Sequence, residues 1–287
     1  MFGLGDDRRS LHVAFILTLI LFLLYPDKTW YVRIPVTVLS IGGFIVPKLR
    51  VAPLFWFALG VLLLIGAGSE WSRSDNHRYL MSYWALALSF ALHADDAHRT
   101  LKETCRWMIG LCFLFAVVWK AASPDFADGA FFHYTLLTDA RFATLAGVAS
   151  SVTPAMQQVN AAALKALTSF GSSLTGVLLV DTERTRALAL FLTYWTLLIE
   201  MLLAAAFLLP RGTSLSRLRD AILIIFALTT YAIAPVIGFG WTLLIMGMVQ
   251  TEQRPAVVRA AYVATFVALQ IFVAPWGSLV KRLASMA

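Results

Sequence analysis

Residues 187–209 read ALALFLTYWTLLIEMLLAAAFLL, an unbroken apolar run in which Glu200 is the sole charged residue. A helix needs about 20 apolar residues to cross a hydrocarbon layer about 30 Å thick, and this run meets that length. Similar runs bounded by charges lie upstream at 11–25, 30–46, 51–69, 77–93 and 104–120, and downstream at 220–250 and 258–276. Several fall short of about 20 residues, so tilt or interfacial flanks must complete them. The 220–250 stretch contains Pro235, Gly238 and Gly240, and reads as one broken helix or two half-helices. The expected fold is all-α, a polytopic transmembrane bundle of about eight spans, with a range of seven to nine set by that stretch.

Composition points the same way. The 287-residue chain is 60% hydrophobic and 14% charged, with a mean hydropathy of +0.77. Soluble domains average about 45–50% apolar and about 25% charged residues, and the excess here cannot be hidden in one core. This excludes an ordinary soluble enzyme, a disordered chain and a nucleic-acid-binding domain. The net charge of +7 comes from Lys and Arg scattered singly between apolar runs, the pattern of membrane-flanking charge. Cys105 and Cys112 would stand about 10 Å apart along one helix, too far to bridge, so neither a disulfide nor a metal site is expected. The first apolar run follows Asp6-Asp7-Arg8-Arg9-Ser10 without a small-residue cleavage site, and is read as a retained helix. Lys and Arg divide almost evenly between the two faces. Of the eleven opposite the N-terminus, five lie on or near one long connection, which counts for little in topology, so the N-terminus is placed in the cytoplasm.

That connection, 121–186, is the one large region without an expected span, and the chain otherwise reads as a single domain over 1–287. It opens with Ser123-Pro124-Asp125-Phe126-Ala127-Asp128-Gly129, a turn by its Pro, Asp and Gly content. Thr153-Pro154 reads as an N-cap followed by proline at the first helical position. Met156, Val159, Ala163, Ala166, Leu167 and Phe170 then recur at helical spacing, opposite Gln157, Asn160 and Lys165. The expectation is an amphipathic helix, with its apolar face against the bundle or the membrane interface.

Ionisable groups near spans are the candidates for function, because hydrocarbon tolerates them only beside a partner or a cavity. Asp75 or Asn76 can cap the fourth span, leaving His77 in its first turn. Lys120 closes the fifth span. Consecutive spans run antiparallel, so His77 and Lys120 are expected on one membrane face, with side chains within about 10 Å across a shared small-ligand site. A lysine desolvated there can serve as an amine base, and a histidine can donate a hydrogen bond to an oxyanion. Glu200 lies about thirteen residues into its span, near mid-membrane, and needs a polar partner facing the bundle interior.

Ser74-Asp75-Asn76-His77-Arg78-Tyr79-Leu80, followed about forty residues later by Lys120 and Ser123–Gly129, resembles the membrane domain of vitamin K-dependent gamma-carboxylases and of their bacterial relatives, the HTTM-domain proteins. The family pattern is Asn-His-x-Tyr-Leu opening one helix, then Lys closing the next before a short Asp-Trp/Phe-x-x-Gly turn. Asn76, His77, Tyr79, Leu80, Lys120, Asp125, Phe126 and Gly129 fit it, and Glu200 falls where the family carries an acidic residue in a later span. The resemblance implies Lys120 as the base that deprotonates a reduced quinone and His77 as its helper. It implies Asn76, Tyr79, Asp125 and Glu200 around the substrate, and a bacterial cytoplasmic membrane location. The cofactor it suggests is a quinone or another lipid.

The chain departs from the family at three points. The Lys120–Gly129 turn is one residue longer. The later stretch Thr230-Tyr231-Ala232-Ile233-Ala234-Pro235-Val236-Ile237-Gly238-Phe239 lacks the usual histidine, with Tyr231 nearest its place. The large region that holds a protein substrate in the carboxylases has no counterpart in these residues, so carboxylation of a protein is not expected. Two readings follow. One is a membrane enzyme acting on a quinone or lipid-like molecule. The other is a non-catalytic subunit or scaffold packed against a partner membrane protein, in keeping with its nine Trp. A transporter has only Glu200 and the broken 220–250 stretch in its favour, without an internal repeat. Membrane lipids are the expected surroundings, and no metal or nucleic acid is expected.

Overall fold

The computed structural model describes residues 6–69, 71–169, 176–233, 236, 238–251 and 255–273. Among the described residues the protein is all-helical, with no strand. In chain order the helices are α1 (Asp6–Leu24), α2 (Trp30–Ile45), α3 (Pro53–Ser69), α4 (Asn76–His93) and α5 (Ala97–Ala122). Four shorter helices follow: α6 (Pro124–Ala127), α7 (Ala130–Thr138), α8 (Ala143–Ser150) and α9 (Pro154–Ser169). The chain continues through α10 (Glu183–Leu208), α11 (Ser214–Ile233), α12 (Phe239–Val249) and α13 (Ala256–Val273). Every apolar run read from the sequence falls on a helix. The 220–250 stretch is two helices, α11 and α12, and residues 274–276 of the last run lie outside the described residues. By length and composition, α5 and α10 are long and apolar enough to cross a membrane.

The helices form two compact units. The first comprises Met1–Ile109, Leu218–Tyr231 and Val236–Ala287. Its centre is α12, in which all residues from Gly240 to Val249 are buried. A helix apolar on every side belongs in a core, and here α1, α4 and α13 pack around it. Gly247 lets this packing close: a Cβ there would come within 2.6 Å of the Tyr262 ring and 2.8 Å of Leu223. The helices α1, α2, α3 and α4 are joined by short segments and pack in sequence order, α1 on α2, α2 on α3 and α3 on α4.

The second unit comprises Gly110–Arg217 and Ala232–Pro235. Its core gathers Phe126, Phe132, Leu136, Leu137, Phe142, Ala146, Val152, Ala189 and Leu192. The 121–186 connection is therefore helical and packed, with α7 and α8 against α10 and α7 against α9. Gly129 sits at φ +83°, a left-handed conformation that suits glycine, and a Cβ there would approach Leu190 to 3.0 Å.

The α9 helix forms where expected, and Thr153 Oγ1 accepts from Met156 N at 3.2 Å as its cap. Its orientation corrects the sequence reading. Gln157 and Asn160 are buried, whereas Val159 is exposed; Phe170 lies outside the described residues. The amides turn inward because α7 ends beneath them with orphan carbonyls. Gln157 Nε2 donates to Leu136 O at 2.7 Å, and Asn160 Nδ2 donates to Leu137 O at 3.1 Å. Asn160 also pairs with both backbone groups of Val180, donating to its carbonyl at 2.9 Å and accepting from its N–H at 2.7 Å. Hydrophobic periodicity mis-set the face because two amides supply the cap that α7 lacks.

Candidate functional site

In the second unit, Lys120 stands in the last turn of α5, and Glu200 lies within the apolar length of α10. Close approach of these two helices is permitted at Gly110, where a Cβ would meet Leu208 at 2.6 Å and the Phe207 Cβ at 3.3 Å. The Lys120 Nζ donates to Glu200 Oε1, forming an ion pair across 80 positions of sequence. The side chain of Glu200 is 9% exposed and that of Lys120 is 25% exposed. Glu200 Oε2 is buried with no hydrogen-bond partner among the described residues.

Phe126 supports the pair from the turn that follows α5. Ser123 and Pro124 start α6, and the Phe126 ring is buried with its centroid 5.5 Å from Lys120 Nζ, a cation–π distance. Phe131, Phe132 and Phe142 pack onward from it, holding that ring in place. Asp125, one residue earlier, is exposed.

A buried pair of this kind is a poor source of stability, because desolvating two charges offsets most of their attraction. It carries one transferable proton between two basic atoms. The ammonium–carboxylate form and the amine–carboxylic acid form have the same net charge, and low polarity narrows the gap between them by penalising the separated charges. When the proton rests on Glu200, the Lys120 nitrogen has a free lone pair.

His77 belongs to the first unit. It is buried at the second position of α4 and shares a hydrogen bond of 3.0 Å between its Nε2 and Tyr25 Oη. Asp75 occupies the N-cap position of α4 without a side-chain cap bond, and Asn76 is exposed beside it. Tyr79 donates to Ala67 O at 3.3 Å, tying α4 to the end of α3. Next to His77, Arg78 forms an ion pair with Asp27, whose side chain is 3% exposed. The sequence reading gave Glu200 a polar partner facing the interior without naming it, and the structure makes that partner Lys120. That reading missed Tyr25, Asp27 and Arg78. Asp27 carries a signal that could have found it, since it follows Pro26 between two spans, on the face where α4 begins and carries Arg78 in its first turn.

Among the described residues, no three His, Cys, Asp or Glu side chains gather as a metal-binding group. Cys105 and Cys112 are both free thiols. Comparison with known proteins adds no identity to this geometry: no family model, curated protein or solved structure matches the chain.

Proposed function

We propose that the protein is an integral membrane enzyme that takes a proton from a quinone-like or other lipid-borne hydroxyl compound, with Lys120 as the base and Glu200 as its proton partner. The membrane part of the reading rests on uncovered apolar surface. Within the most apolar 18 residues of α5 and of α10, 22% and 39% respectively are buried. Trp107, Phe115, Val118 and Trp119 on α5, with Phe191, Tyr194 and Met201 on α10, lie open. Water penalises such surface by about 25 cal/mol per Å², and lipid does not. The shorter apolar helices complete a bundle of about eight spans by tilting, in a bacterial cytoplasmic membrane.

The observation that carries the chemistry is the pair itself: a carboxylate less than a tenth exposed, with one oxygen on Lys120 and the other without a hydrogen-bond partner among the described residues. Ionisable groups in apolar helices are retained for a task, since hydrocarbon penalises them. Lys120 keeps a quarter of its side-chain surface open, so a lipid-borne molecule can reach the amine. The Lys120 ammonium passes its proton to the Glu200 carboxylate, and the freed amine then takes the hydroxyl proton of the substrate. The products are an oxyanion, the Lys120 ammonium and the Glu200 carboxylic acid, so charge and protons balance. The ammonium is left beside the new oxyanion, where it stabilises that charge.

Lipid and quinone mass spectrometry of the purified protein tests this. A quinone or other lipid-soluble hydroxyl compound retained by the wild type and lost from Lys120→Met is the expected result. Equal retention by both, or no such compound in either, rejects the enzymatic reading in favour of a scaffold.

A further inference from the structure

Beyond the Lys120 site, the first unit holds a polar cleft. Its cavity of about 90 Å³ is lined by Tyr25, Asp27, Lys28, Asp75 and Arg78, with Leu63 and Met81 among its apolar residues. Chain direction explains its place. Tyr25–Lys28 follow the end of α1 and lead into the start of α2, while Asp75 and Arg78 sit at the start of α4. Antiparallel succession puts these ends, and the end of α3, on one face.

The charges divide into two sets. Deep in the cleft, Asp27 and Arg78 neutralise each other; Asp27 Oδ1 also accepts from Thr29 N at 2.8 Å, and Arg78 Nη1 donates to Ser74 Oγ at 3.2 Å. Gly66 makes room for this floor, since a Cβ there would fall 2.5 Å from Asp27 Oδ2. At the mouth, Lys28 and Asp75 are exposed and enter no ion pair among the described residues. Among the described residues, the cleft thus offers one open ammonium and one open carboxylate above the Asp27–Arg78 pair.

Its surroundings set the depth. Trp30 and Tyr31 open α2, and Trp71 follows α3; they are 66%, 46% and 76% exposed. Tyr31 Oη donates to Ser69 Oγ at 3.0 Å, which ties the start of α2 to the end of α3. Exposed Trp and Tyr at helix ends mark the membrane–water interface. Below them, Ile34, Val38 and Ile41 on α2 and Leu64 and Ile65 on α3 present apolar surface. Resting on the membrane reading above but not on the Lys120 chemistry, we infer that this cleft binds the zwitterionic headgroup of a phospholipid carrying a primary ammonium. Lys28 takes the phosphate, Asp75 takes the ammonium, and the acyl chains lie along α2 and α3. A primary ammonium donates three hydrogen bonds to carboxylate and carbonyl oxygens, whereas a quaternary one donates none. An anionic headgroup leaves Asp75 opposed to like charge.

The test is lipid retention by the detergent-solubilised full chain, exchanged against phosphatidylethanolamine, phosphatidylcholine and phosphatidylglycerol and read by native mass spectrometry. Hydrogen bonds to charged groups set the expected scale at about tenfold. Phosphatidylethanolamine should be retained about tenfold over each of the others. Lys28→Gln and Asp75→Asn should each abolish that preference, since both residues are exposed and neither supports the fold. Lys120→Met should keep it, so a failed Lys120 chemistry leaves this result intact. Equal retention of the three lipids, a preference for phosphatidylglycerol, or a preference unchanged in both cleft variants overturns the inference. Free glycerophosphoethanolamine binding as tightly as the lipid overturns the lipid source and identifies a soluble zwitterion instead.

Discussion

Removing either partner of the Lys120–Glu200 pair should have unequal effects. Lys120→Met leaves the Glu200 carboxylate buried without its cation, and breaking a buried pair in this way costs about 3–5 kcal/mol. A ceiling applies, because the orphaned carboxyl can take up a proton from water. Protonating an ordinary carboxyl at pH 7 costs about 4 kcal/mol, at about 1.4 kcal/mol for each pH unit above its usual value. The loss at pH 7 should therefore lie near 3–4 kcal/mol and shrink by about 1.4 kcal/mol for each unit of acidification. Glu200→Gln removes the charge from the more buried side and leaves an amide oxygen to accept from Lys120. The lysine, already a quarter exposed, can extend toward a polar surface, so this variant should lose only about 1–2 kcal/mol. The double variant Lys120→Met/Glu200→Leu should recover most of the larger loss, since no unpaired charge remains. Equilibrium unfolding in mixed micelles at pH 7 and pH 5 measures all four proteins. A double variant no more stable than Lys120→Met, or a Lys120→Met penalty that ignores pH, would refute the account of a charge-compensated pair.

Two further outcomes follow from the second unit. Asn160→Ala removes the bonds to Leu137 O and to both backbone groups of Val180, leaving the buried Leu137 carbonyl without its amide partner. A loss of about 2–4 kcal/mol is expected, with faster hydrogen exchange at Val180, and a neutral variant would refute the capping role. At Asp139, burial opposes the charge, but hydrogen bonds and the guanidinium of Arg141 outweigh it and hold the carboxyl below its ordinary 3.8. Such a depressed group adds stability that is fully present above its ordinary value and vanishes as pH falls through the lower folded value. Asp139→Asn should thus lower the melting temperature at pH 7 and by less and less as pH falls through the lowered folded value, and a drop that does not shrink with acid refutes the ion-pair contribution.

Hydropathy placed all the long helices, because burial or lipid contact demands continuous apolar sequence. The split between α11 and α12 was visible in Gly238 and Gly240, whose missing side chains permit the φ of +91° at Gly238 and close packing of Tyr231 on Gly240. The face of α9 was not legible. Gln157 and Asn160 look like solvent residues until the unsatisfied end of α7, some twenty positions earlier, comes into contact with them. The site was legible in part for the same reason. Glu200 announced its need for a polar partner, but only tertiary packing of α5 on α10 at Gly110 makes that partner Lys120. Tyr25 as the partner of His77, and Asp27 as the partner of Arg78, depend on pairings more than fifty positions apart that no local pattern encodes.

The central claim is that the amine of Lys120 meets a lipid-borne hydroxyl compound. Its most direct test is the unfolding free energy of wild type and Lys120→Met in micelles, each with and without a short-chain methylated hydroquinone. A ligand at about 100 times its Kd stabilises a folded protein by about 2.7 kcal/mol. The account predicts a gain of that order for the wild type and none for Lys120→Met. Equal gains in both proteins, or no gain in the wild type at saturating hydroquinone, would contradict it.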